Sequence, residues 1–143
     1  MPNLLDFGTI VFCVIAYSIF LPLLYKGFKT RRKLKGQISS RDDLEVLFKY
    51  ANANKAAAAI ILLGLLAYLI YMAISSSLLN ISEGIVQHYG TIVGIATLPI
   101  WILSMIVELP LKKLEVIHED IKIEERYREI LLSWAKPGFR IKK

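Results

Sequence analysis

The sequence predicts an all-α integral membrane protein: three transmembrane helices, N-terminus outside and C-terminus inside, then a cytoplasmic amphipathic C-terminal helix. Three observations predict it. Residues 4–25 carry one charge, Asp6, while residues 56–79 and 84–107 carry none; about 20 apolar residues suffice to cross a bilayer as a helix. The 18 basic residues fall between Lys26 and Lys55 or between Lys112 and Lys143, and threading three spans puts both groups on one side. Basic segments beside spans stay in the cytoplasm, which sets the orientation. The remainder is too short and too charged for a second core. The expected organisation is one membrane domain over 1–143. Spans lie at about 4–25, 56–79 and 86–107, with a cytoplasmic basic loop at 26–55 and a tail helix at about 110–135. Such a chain is a multi-pass protein of the cell membrane.

The first span, Leu4 to Tyr25, follows a start without basic residues, and no small-residue cleavage site comes after it. It is therefore expected to be permanent rather than a signal peptide. Pro22 is placed in its last turn, where a proline costs least, and Tyr25 at the inner interface. Cys13 is the only cysteine, so an intrachain disulfide is excluded and the thiol is read as a packing residue.

In the loop, Lys26, Lys29, Arg31, Arg32, Lys33 and Lys35 occupy ten residues with no acid. Three readings stay open: the topology signal alone, contact with anionic lipid headgroups, or a docking patch for RNA or an acidic protein. Ser39 or Ser40 can cap a short helix from about Arg41 to Asn52, with Asp42 and Asp43 in its first turn and a break at Asn52–Asn54.

The second span opens on four alanines, Ala56 to Ala59, and adds Gly64 and Ala67, small residues that permit close helix approach. The third carries Pro99, expected to bend it, and the pair Gly90 and Gly94 in GxxxG spacing. That pair serves contact with another subunit or packing inside the chain.

In the tail, Pro110 suits the first turn of a new helix. At 100° per residue Val116, Ile123, Tyr127, Ile130 and Trp134 fall within an arc of roughly 60°. Seven acids accompany the basic residues after Val107, including Glu124 four residues before Arg128. A mixed polar face favours docking of the stripe on a partner protein over lying in the membrane interface.

Several function classes are excluded at this level. The two histidines, His88 and His118, fall on opposite sides of the bilayer and cannot share a metal or haem site. No carboxylate lies near a span midplane, as ion or proton transport usually requires. Neither an HExxH nor a P-loop motif is present, and no Ser/His/Asp set can assemble. No enzyme activity, cofactor, metal or nucleic-acid partner is expected.

The order of elements (one span, a basic cytoplasmic segment, two spans joined by a short outer turn) resembles the minimal core of the Oxa1-type insertases. The resemblance implies a protein that accepts nascent polar segments, at positions such as Thr9, Cys13 or Ser18. The chain departs from that family: only about 30 residues replace its long coiled-coil hairpin, and the spans lack a hydrophilic groove. The span order is also similar to class I phage holins, which implies self-assembly in the membrane. The leading expectation is a non-catalytic accessory or scaffolding subunit of a larger membrane complex, respiratory or energy-converting assemblies being one class. Its partners would be other integral membrane subunits, in a hetero-complex rather than a homo-oligomer, and anionic lipid headgroups.

Overall fold

A computed structural model describes residues 4–141 of the chain. It is all-helical apart from one minimal strand pair, and three of its four helices are long and apolar enough to span a membrane. Helix α1, Leu4–Leu34, contains the first apolar run but does not stop at its end. Beyond Tyr25 little opposes helix, and Arg31, Arg32 and Lys33 in the last turn complement the C-terminal end of the helix dipole. The basic segment 26–34 is thus helix rather than loop. Pro22, expected in a last turn, lies well inside α1. The helix ends where Lys35 and Gly36 take positive φ values of 49° and 83° and Lys35 N–H closes on the Arg31 carbonyl.

Helix α2 runs unbroken from Arg41 to Leu78. Ser40 caps it by accepting from the Asp43 N–H at 3.2 Å, and Asp43 Oδ2 accepts from both the N–H and the hydroxyl of Ser39. The expected break at Asn52–Asn54 is absent. Asparagine disrupts helices by competing for the local backbone, and both side chains are committed elsewhere: Asn52 to Ile141 N–H, Asn54 to Glu108 and Trp134. Asn80, in the left-handed region at φ 50°, turns the chain into α3, Glu83–Leu111.

Pro99 lies within α3, and so does Pro110, in the last turn of α3 rather than the first of a new helix. Pro110 deprives the Ile106 carbonyl of its backbone donor, and Arg31 Nη1 stands 3.5 Å from that oxygen.

α1 and α3 run in the same direction, so the segments leaving them can pair in parallel. They do: β1, Gln37–Ile38, lies beside β2, Glu115–Val116. The tail helix therefore starts later than expected, as α4, Ile121–Ala135, with Asp120 accepting from Lys122 N–H. Val116 belongs to β2, not to the helix.

α1 is the central helix, packed on both α2 and α3, while α2 and α3 scarcely meet. The end of α1, the start of α2 and the end of α3 gather at one pole with α4, and all the described Lys and Arg residues lie there. We call it the basic end and its opposite the far end.

Candidate functional site

The apolar stripe of α4 is satisfied inside the chain. Ile123, Tyr127, Ile130 and Trp134 are all buried in one core with Leu44, Leu47, Tyr50 and Ala51 of α2 and Leu111 of α3. This corrects the expectation that the stripe docks on a partner subunit. Because α2 continues as helix on the polar side of its span, it offers α4 an apolar face, and water drives the two together. Val116 is half-buried against the same core.

Hydrogen bonds bind the same region. Tyr127 Oη accepts from Leu114 N–H at 2.9 Å and donates to the Leu111 carbonyl, tying α4 to the end of α3. Asn54 is the centre of a second set: its Oδ1 accepts from Trp134 Nε1 at 3.0 Å, and its Nδ2 donates to Glu108 Oε1 at 2.9 Å. Lys112 then donates to Glu108 Oε2 and lies over the Trp134 ring. Lys55 donates to the Ser133 carbonyl, in the last turn of α4, where a cation is favoured. Burial, helped by the Glu108 charge and opposed by a hydrogen bond with Asn54, pushes the Tyr50 hydroxyl well above its ordinary pKa. Burial raises that of Tyr127 too, against its bond from Leu114. The pairing of Lys112 with Glu108 was legible from their i,i+4 spacing, but the bonds of Asn54 to Glu108 and Trp134 escaped sequence reading; two polar residues just outside apolar runs on separate helices were the available signal.

Gly90 and Gly94 have a different setting. They line a groove between α2 and α3, floored by Phe12, Ala16 and Phe20 of α1 and holding about 230 Å³. A Cβ added at either glycine would meet nothing within 4 Å, so neither is used for packing inside the chain. Gly27 shows the contrast: a Cβ there would overlap Val107 Cγ1 and lie 2.8 Å from the Tyr50 hydroxyl.

The basic residues of α1 form the third feature. Lys26, Lys29, Arg31, Arg32, Lys33 and Lys35 are all exposed. Among the described residues none of the six has a carboxylate within ion-pair distance, whereas Arg41, Lys49, Lys112, Arg126 and Arg128 each do. Elsewhere, Thr9 is buried and bonded to Tyr68, Ser18 donates to the Val14 carbonyl, and Cys13 is half-buried. Among the described residues no group of His, Cys, Asp or Glu side chains could hold a metal ion. Lys142 and Lys143 lie outside the described residues. Compared with known proteins, the chain matches no family model, no curated protein and no solved structure.

Proposed function

We propose that the chain is a non-catalytic accessory or scaffolding subunit of a larger complex in the cell membrane, oriented with its basic end in the cytoplasm. The observation that carries this reading is the open glycine wall of the α2–α3 groove. In lipid, helices associate through close backbone approach at small residues, and Gly90 and Gly94 offer that approach while their own chain leaves it unused. A span of another subunit laid against them completes the bundle. The insertase alternative asks for a polar lining; Thr97, the hydroxyl among the described lining residues, is bonded to the Val93 carbonyl at 2.8 Å.

Native-gel mass after mild detergent extraction tests the reading. The wild-type chain should run in a larger species, and Gly94→Leu should release it as a folded monomer. A monodisperse wild-type monomer of 16.2 kDa plus detergent would sink it. The orientation is tested separately with membrane-impermeant thiol reagents: Asn80→Cys should label from outside and Lys136→Cys from inside.

A further inference from the structure

We propose that the basic end of α1 is a binding face for the phosphate groups of anionic phospholipids in the adjoining leaflet. The proposal goes beyond the subunit reading and does not depend on it, since it concerns the side of α1 turned away from the bundle. At 100° per residue, Leu23, Leu24, Gly27, Thr30 and Leu34 occupy one side of the helix, and all five are buried. The opposite arc, roughly 160° wide, carries Phe28, Arg32, Tyr25, Lys29, Lys33 and Lys26 in angular order. Four cations and two aromatic rings thus share one exposed face. Tyr25 is 73% exposed and Phe28 45%. Arg31 lies outside this arc, on the bundle side between Gly27 and Leu24 in angular order, with its guanidinium toward the Ile106 carbonyl, and Lys35 follows the last helical residue. Tyr25, Phe28, Lys29 and Arg32 line a shallow cleft of about 760 Å³ together with Arg31 and Lys35.

Depth and charge identify the occupant. Tyr25 closes the apolar run, the level of the hydrocarbon boundary for an aromatic ring. At 1.5 Å per residue, Lys26 and Lys29 stand roughly 2 and 6 Å beyond it and Arg32 roughly 10 Å. The headgroup layer of one leaflet is about 5–8 Å thick, and Arg and Lys side chains extend back along apolar surface to place their heads. All four cations therefore reach the phosphate plane, with Tyr25 and Phe28 against the acyl ends below it. The absence of a carboxylate partner among the described residues distinguishes this face from the paired cations around α4, so its charge is complementary to an anion supplied from outside the chain. A phospholipid of the adjoining leaflet is the anion present at that depth.

The test uses the full chain in nanodiscs of mixed phosphatidylcholine and phosphatidylglycerol, with the lipids retained after release counted by native mass spectrometry. Each basic residue near an anionic surface is worth about five-fold in lipid preference. Preference for phosphatidylglycerol should therefore fall about thirty-fold in Lys29→Gln/Arg32→Gln. It should stay unchanged in the control Lys49→Gln/Arg128→Gln, whose cations are paired with Glu45 and Glu124. Salt should weaken the wild-type preference, because the face is exposed and screened, and inorganic phosphate at equal ionic strength should displace no more lipid than chloride does. Circular dichroism checks that the variants fold, and the salt dependence needs no variant. Equal retention by the wild type and the Lys29/Arg32 variant, or an equal loss in the control, overturns the proposal. So does RNA binding by the solubilised chain that the same pair abolishes while lipid retention is unmoved, which reassigns the face to a nucleic acid.

Discussion

The far end and the basic end of this bundle are held by different forces. At the far end the apolar cluster is small, with Leu5, Phe12, Tyr68, Met72 and Val93 buried in it. Tyrosine hydroxyls supply the specificity there: Tyr68 bonds Thr9 at 3.0 Å, Tyr71 donates to the Leu4 carbonyl, and Tyr89 donates to Asp6 at 2.6 Å. At the basic end a much larger core gathers residues from every helix and reaches into the spans through Phe20, Ile61 and Ile100. The difference follows from the surroundings. Within a span an apolar side chain gains little by leaving lipid for protein, so helices meet through hydroxyls and small residues. Beyond the span the alternative to burial is water, so covering apolar groups is strongly favoured, although Ile121 and Leu132 of α4 stay exposed.

If this comparison holds, the largest loss of stability should come from the basic end. Trp134→Ala removes a ring packed edge-on against Tyr50 and the donor to Asn54, and should cost about 3–5 kcal/mol. Thermal unfolding in detergent, followed by amide exchange in α4, would measure it. Loss of α4 protection while the spans stay inserted is the expected pattern; an effect under about 1 kcal/mol would equate the two ends.

Paired glycine substitutions sharpen the comparison. Gly27→Ala forces a Cβ into Val107 and Tyr50, which should cost about 1–3 kcal/mol. Gly94→Ala faces open space and should cost the monomer nothing, with a gain of up to about 1 kcal/mol from helix propensity. The same unfolding assay compares them directly, and similar losses would mean that the groove is closed within the chain.

Alkaline pH should act on the basic end through Tyr50. The Tyr50 pKa is raised above its ordinary 10.0, so the folded state holds the proton more tightly. Stability is then full below pH 10 and falls as pH rises above it, by at most about 1.4 kcal/mol per pH unit for this group. Tyr50→Phe should flatten the fall, leaving the share due to Tyr127. A wild-type slope that the variant preserves would move the effect elsewhere.

The smallest effect belongs to the far end. Tyr68→Phe deletes one hydroxyl bond inside the span, worth about 0.6 kcal/mol on average between membrane helices. A double-mutant cycle with Thr9→Val should return a coupling of that size; a coupling of several kcal/mol would show that the far end too depends on water exclusion.

How much of this was legible beforehand depends on the range of the interaction. The helical start at Ser40 was readable because capping preferences act within a few residues. The continuity of α2 through Asn52–Asn54 was not, because what removes those asparagines from local competition is Ile141, Glu108 and Trp134, all more than fifty residues away. Pro110 misled for a similar reason: the carbonyl it leaves without a backbone donor lies next to Arg31 of another helix.

The sequence alone determined three apolar helices and the gathering of the basic residues at one end, because length and polarity against a bilayer are properties of single segments. The α4 stripe was equally plain as a pattern, yet a pattern states only that a face must be covered. That α2 covers it, that Gly90 and Gly94 stay open and that Gly27 does not, were decided by tertiary structure. The physical reason is that burial is non-directional. Any apolar surface satisfies it, and only the spatial arrangement of the helices selects which one lies within reach.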